Sequence, residues 1–194
     1  MKSNAPKQFM ELKGLPMLMH TIDRFYKTFP SSIIIVVLAK ELTEQWQTLC
    51  SKHNFKTQHK IAIGGDTRFQ SVKNGLELVP NDALVAVHDA ARPLVSVDVI
   101  HLVIETARRK GNAVPVIELS ESIRAVNGEN SRATDRSYFR IVQTPQCFHS
   151  NVLKKAFTQP YQSNFTDEAT VVEAMGERIH MVAGNVENIK ITTP

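Results

Sequence analysis

Leu84-Val85-Ala86-Val87-His88-Asp89-Ala90-Ala91-Arg92-Pro93 (84–93) is an aliphatic run that stops in a charged turn. Leu84 to Val87 reads as a strand, and the polar cluster behind it falls where open parallel sheets bind ligands, beyond a strand's carboxyl end. The pattern repeats on both sides. Downstream, Val99, Ile100, Val103 and Ala107 line a helix closed by Gly111, and Ala113 to Ile117 makes the next strand. Upstream, Phe69, Val72 and Leu76 mark a helix, preceded by a short strand from His59 to Ile63 that ends at Gly64-Gly65. Leu42, Trp46 and Leu49 give an earlier helix its apolar stripe. Before it, Ser32 to Ala39 is an uninterrupted aliphatic run, the pattern of a parallel strand buried on both faces. Pro16 to Phe29 predicts a first helix, with Leu18, Ile22, Phe25 and Phe29 on one face.

Strands alternating with helices in this way predict an α/β fold with a mainly parallel sheet flanked by helices. The alternation breaks after Glu118. Ser122 to Val126, then Asn127-Gly128 and a polar stretch to Asp135, predict an antiparallel hairpin arm at about residues 118–137. Tyr138 to Val142 returns as a strand, and helices near Ser150–Phe157 and Asp167–Met175 follow. Ile179 to Val182 and Ile189 to Ile191 are the last expected strands. No internal repeat, low-complexity tract or linker interrupts this order, so residues 1–194 read as one domain with an excursion.

The 194 residues, 42% of them hydrophobic, suffice for a single core. No apolar stretch approaches the length of a membrane span, and no secretory signal follows Met1-Lys2-Ser3-Asn4. Cys50 and Cys147 form no CxxC, which excludes a disulfide framework and a zinc site and points to the cytoplasm. The net charge of +4 favours anionic partners. The densest basic cluster, Arg108-Arg109-Lys110, sits at a helix end where it complements the dipole, and aromatics are not interleaved with it. Nucleic acid and membrane are therefore not expected, while small anionic substrates remain open.

Three polar clusters follow strands: Gly64-Gly65-Asp66-Thr67-Arg68, Asp89-Ala90-Ala91-Arg92 and Thr144-Pro145-Gln146. Glycines let the backbone approach a ligand closely, and Thr67 is placed to cap the next helix; an ordinary capped turn has the same sequence. Asp89 reads either as a carboxylate for metal or ligand hydroxyls, or as an Asp–Arg pair stabilising the loop before Pro93. His88 ends an apolar strand, a place more common for a structural histidine than for a catalyst. No serine lies in a GxSxG setting, so a hydrolase triad is unsupported. Lys190 interrupts an apolar strand between Ile189 and Ile191, a placement expected to point a lysine at something anionic, whereas Lys7 alone would read as a surface charge.

Together the segments APKQF (5–9), GGDTRFQSV (64–72), VHDAARPLV (87–95), TDRSYFRIVQTPQCF (134–148), TDEATVVEAMG (166–176) and ENIKITTP (187–194) resemble the methylerythritol phosphate cytidylyltransferases along nearly the whole chain. The resemblance implies a Rossmann-like nucleotidyltransferase fold. It implies transfer of CMP from CTP to 2-C-methyl-D-erythritol 4-phosphate with Mg²⁺ and release of pyrophosphate, a step of the non-mevalonate isoprenoid pathway. By the same resemblance, Lys7 stabilises charge at the α-phosphate, and Lys190 and Arg136 hold the sugar-alcohol phosphate. Gly65, Asp66 and Ser71 recognise cytosine, and Ala90 lies against the ribose. Asp89, Arg92, Thr144 and Thr166 complete the site around metal or substrate, and Ser122 aligns with the family's substrate-binding threonine. The family is homodimeric with exchanged arms, so Arg136 would serve the neighbour's site; a local salt bridge with Asp135 is its other reading.

The family begins with a strand and a glycine-rich phosphate loop ending in Arg-Met, just ahead of the Pro-Lys-Gln segment, and continues past the position of Pro194 into a helix. This chain begins at Met1, where that loop ends, and is expected to be part of a longer protein. Extra residues between Glu118 and Arg124 also depart from the better-known members. Two alternatives stay open: a ribitol 5-phosphate cytidylyltransferase, and a catalytically silent nucleotide-binding or scaffold protein.

Overall fold

Residues 6–192 are described by a computed structural model, and most of its elements begin where the sequence supplies a cap or a turn. A short hairpin of β1 (Glu11–Leu12) and β2 (Leu15–Pro16) leads into α1 (Met17–Thr28), whose N-cap is Pro16. Then come β3 (Ile35–Leu38), α2 (Thr43–Lys52), β4 (Lys60–Ile63) and α3 (Arg68–Leu76). They are followed by β5 (Leu84–Val87), α4 (Val97–Lys110) and β6 (Asn112–Glu118). The Thr67 hydroxyl accepts the Gln70 N–H at 3.0 Å at the start of α3, and Ser96 accepts the Val99 N–H at 3.1 Å at the start of α4. Such caps each contribute about 1 kcal/mol.

The excursion is a hairpin of β7 (Ile123–Asn127) and β8 (Asn130–Thr134), as expected. Gly128, at φ +57°, takes the first central position of its two-residue turn, where a side chain would be strained. The chain returns through β9 (Arg140–Val142) and β10 (Gln146–His149), then α5 (Ser150–Ala156), α6 (Glu168–Glu173) and β11 (Met181–Ala183). Ala5, Thr193 and Pro194, at the ends of two of the motif segments, lie outside the described residues.

Pairing in the α/β layer is mixed. β3 and β4 pair in parallel, as do β6 and β11, but β10 lies antiparallel between β5 and β6, and β9 continues antiparallel beside the far half of β6. Strand β10 was not expected, because only Cys147 and Phe148 interrupt its polar sequence. The stretch Ile189–Ile191 is not a strand. Asn188, not an isoleucine, is the buried residue there, and Ile189 is exposed. The run from Ser32 to Ala39 forms ladder only over Ile35–Leu38, alternating buried and half-buried residues rather than burying both faces.

The last difference has a clear cause. Among the described residues, β3 pairs only with β4 and β5 only with β10, so the layer they form is two sheets rather than one. Between the two open edges runs an apolar slot of about 710 Å³, walled by Ile22 and Phe25 of α1 and by Val72 and Leu76 of α3. Its lining reaches Ser71, Asp89 and Ala90. The core accordingly falls into three clusters. Phe69, Phe148, Leu153 and Phe157 pack between the five-stranded sheet, α3 and α5; Met19, Ile22 and Trp46 pack around β3; and Ile100, Val103 and Cys147 pack under α4. Each such side chain stabilises by about 1.5–3 kcal/mol when fully buried. No helix among the described residues is long and apolar enough to cross a membrane.

Candidate active site

The antiparallel course of β10 brings its leading residues to the carboxyl end of β5, since Gln146 pairs with Val87. Thr144 therefore meets the 88–92 turn. Its hydroxyl accepts the Asp89 backbone N–H at 3.1 Å and lies 2.9 Å from Nδ1 of His88. Nε2 of His88 lies 3.0 Å from the Arg92 carbonyl, an acceptor only, so Nε2 carries the proton and Nδ1 accepts from Thr144. Enclosure lowers the His88 imidazole to about 4, so it is neutral near pH 7. A histidine with both nitrogens so used is structural.

Asp89 is the hub. Its Oδ2 accepts from Arg92 Nε at 3.1 Å and lies 3.2 Å from Lys190 Nζ. Partial burial alone would raise the Asp89 carboxyl, but Lys190 and Arg92, with Arg68 farther off, outweigh it and hold the group below the usual carboxylate range. The Arg92 guanidinium also donates to the Asn188 carbonyl at 2.6 Å, and Asn188 donates to the Thr144 carbonyl at 2.8 Å. These bonds hold the irregular 185–190 segment against the sheet and place Lys190 without a strand beneath it. The two sequence readings of Asp89 thus coexist: it is paired with Arg92, and it lines a polar depression of about 190 Å³ with Arg68, Arg92, Thr144, Thr166 and Lys190.

Arg68 and Glu168 were not anticipated. Nη1 and Nη2 of Arg68 donate to the two carboxylate oxygens of Glu168 at 2.5 and 2.9 Å, and the Glu168 side chain is fully buried. Burial pushes the Glu168 carboxyl up, and the forked guanidinium opposes that. Gln146, also buried, donates to Asp167 at 2.8 Å and accepts the Ala169 N–H at 2.9 Å. On the other side of α3's first turn, the Ser71 hydroxyl accepts the Gly65 N–H at 3.1 Å and donates to the Thr67 carbonyl at 2.9 Å. Asp66 is exposed beside them. The Ala90 carbonyl accepts the Thr21 hydroxyl at 2.9 Å, which fixes the turn against α1.

A depression ringed by three cations, next to a glycine turn at a helix start, is a setting for a nucleotide and a second phosphate. Comparison with known proteins gives the family. Residues 1–194 match the family described as 2-C-methyl-D-erythritol 4-phosphate cytidylyltransferase, IspD. The chain belongs to this family. A 2-C-methyl-D-erythritol 4-phosphate cytidylyltransferase from Bacteroides thetaiotaomicron is 45% identical over 194 residues, covering 100% of this chain and 89% of the relative. One from Bacillus pumilus is 35% identical, covering 100% of this chain and 86% of the relative. The crystal structure of the Thermus thermophilus cytidylyltransferase superposes with a TM-score of 0.83 at 32% identity, covering 97% of this chain and 88% of that one.

Of the residues assigned by resemblance to this cytidylyltransferase family, Asp89, Arg92, Thr144, Thr166 and Lys190 share the depression; Ser71 and Ala90 line the slot, whose lining also includes Arg68 and Asp89, Gly65 is bonded to Ser71, and Asp66 follows it, exposed. Lys7 is exposed on a short 3₁₀ turn, Lys7–Phe9. Ser122 and Arg136 are on the arm and do not line the depression. The Arg136 guanidinium donates to the Ser120 carbonyl, and Asp135 instead caps the Arg136–Tyr138 turn by accepting the Ser137 N–H at 2.9 Å. Among the described residues, no group of three or more His, Cys, Asp or Glu side chains is arranged to hold a metal ion. Asp89 is a lone carboxylate already facing two cations, so it fits a metal ion only as one ligand beside oxygens brought by a substrate.

Proposed function

We propose that this chain acts as a single cytoplasmic catalytic domain that transfers CMP from CTP to 2-C-methyl-D-erythritol 4-phosphate, releasing pyrophosphate. The observation that carries the reading is the ring of Arg68, Arg92 and Lys190 around Asp89 at the end of β5. The attacking group is a phosphomonoester oxygen, largely dianionic near neutral pH because its second pKa is about 6. It forms a bond to the α-phosphorus while the bond to the departing pyrophosphate breaks, and no general base is needed. What is needed is positive charge and alignment between two polyanions.

The chain's residues divide that work. Gly65, Asp66 and Ser71 receive the cytosine, where the backbone is bare, and Ala90 lies against the ribose. Lys190, held by Asp89, presents its remaining ammonium protons to the acceptor phosphate, with Arg92, Thr144 and Thr166 around it. Lys7 supports charge at the α-phosphate. Asp89 would be the side-chain ligand for a Mg²⁺ ion, which would supply charge neutralisation for the triphosphate.

Arg136 completes the site in a homodimer by reaching the neighbouring copy. Supporting this is the apolar strip at the arm's base: Tyr138 is 84% exposed, and Phe139, Ile141 and Val142 are each more than 40% exposed. A patch of this kind is what a second copy covers. Pyrophosphate release from CTP and Mg²⁺ tests the assignment, with methylerythritol phosphate and ribitol phosphate compared at equal concentration. A strong preference for the former is expected, because mispaired hydroxyls leave buried polar groups unsatisfied. Preference for ribitol phosphate would reassign the acceptor, and no release with either would remove the activity.

A further inference from the structure

Arg68 and Glu168 come from two different helices. Arg68 opens α3, which packs on β3 and β4 and also touches α5, whereas Glu168 opens α6, which packs with α5 on the five-stranded sheet. The two residues meet through both carboxylate oxygens, so distance and angle are fixed together. Glu168 cannot drift, because its neighbours are tied as well. Asp167 accepts the Thr170 N–H at 2.9 Å in a capping box, and Gln146 bonds both Asp167 and the Ala169 N–H. Thr166, the next residue back, lines the same depression as Arg68.

A buried carboxylate is a costly way to join two helices when apolar side chains of the same volume would pack as well or better. What an ion pair supplies and an apolar pair does not is direction. Glu168 occupies two of the five guanidinium N–H donors, which leaves three on a side chain that is 38% exposed at the rim of the depression. Arg68 lines the same depression as Lys190 and Arg92.

We propose that Arg68 is a binding residue for the acceptor's phosphate and that Glu168 is its positioning residue, orienting the guanidinium and fixing Thr166 across from it. This rests on the cytidylyl-transfer reading for the identity of the acceptor, but the anion site itself does not. The pair does two things at once: it keeps the nucleotide side and the acceptor side in register, and it presents N–H groups to a phosphate without adding the full charge of a free arginine.

The test uses the double variant Arg68→Met/Glu168→Leu, which replaces the pair by apolar side chains. Inorganic phosphate binding is followed by ³¹P NMR titration, alongside melting temperature and steady-state kinetics. The expected result is a retained melting temperature, phosphate affinity reduced about tenfold or more, and kcat/KM for methylerythritol phosphate reduced about 10²-fold, with the KM for CTP little changed. Glu168→Gln, which can accept only one of the two guanidinium bonds, falls between the double variant and wild type. Arg68→Lys keeps the charge without the fork; it is expected to lose acceptor binding while staying folded, so it serves if the double variant does not fold. Phosphate binding equal to wild type in the folded double variant, or in Arg68→Lys, overturns the proposal. So does a wild-type protein that binds no phosphate at millimolar concentration. A wild type that binds phosphate through Arg68 but releases no pyrophosphate would refute the activity and leave the anion site standing.

Discussion

His88 and Thr144 hold one proton between them: the threonine hydroxyl donates to Nδ1 across 2.9 Å while the opposite ring nitrogen donates to the Arg92 carbonyl. Protonating the ring adds a second donor where one is already aimed. The imidazole is lowered to about 4 from 6.5, chiefly by burial. As pH falls below about 6.5 the unfolded chain takes up a proton that the folded chain refuses, so stability is present above that pH and is lost down to about 4. The loss is at most about 3 kcal/mol. Urea unfolding at pH 7 and pH 4.5 should show a larger drop for wild type than for His88→Gln. Equal drops would show that the ring titrates freely.

Lys190→Ala should lower turnover by about 10²-fold, as expected when a cation is removed from a developing negative charge. CTP affinity should change much less. With Lys190 gone, the Asp89 carboxyl keeps Arg92 as its partner, with Arg68 farther off, and should titrate higher than in wild type. Near-normal turnover at an unchanged melting temperature would return Lys190 to a purely structural pairing with Asp89.

Gly65→Ala should weaken CTP without touching the acceptor. A Cβ there would lie 2.2 Å from Gln70 Cγ and 2.7 Å from its Cβ, so the turn must move and carry the Gly65 N–H away from Ser71. Loss of one hydrogen bond and of close backbone approach corresponds to about a tenfold rise in the KM for CTP. If calorimetry finds CTP affinity intact, the base does not sit at this turn.

Arg136→Ala and Lys190→Ala should complement one another in mixed dimers. If the arm serves the partner, a heterodimer concentrates both lesions in one site and leaves the other whole. Random co-refolding would then restore about a quarter of wild-type activity. Activity that stays at the level of the single variants, with heterodimers confirmed by mass spectrometry, would place Arg136 in its own chain's site.

The sequence conveyed the elements better than their partners. Periodicity placed α1, α4 and the arm to within a residue or two, and Thr67 was recognisable as a cap. Pairing was less legible. β10 carries two apolar residues between glutamine and histidine, so nothing in its composition announces a strand; its partners on both sides do. Ile189 and Ile191 look like a strand, yet the buried Asn188 carbonyl and amide are what anchor that segment. Arg68 stood in a polar cluster without a role of its own, and Glu168 had none, because each, alone, is an ordinary charge in the first turn of a helix. Only the fold sets them within hydrogen-bond reach.

The residues proposed for the site are carried by two different sheets. Gly65, Asp66 and Ser71 ride on the two-stranded side, while Asp89, Thr144 and Lys190 ride on the five-stranded side. On the proposed reading, the residues for the base and those for the acceptor phosphate thus hang on different strands, so a substitution in one group should leave the backbone of the other in place.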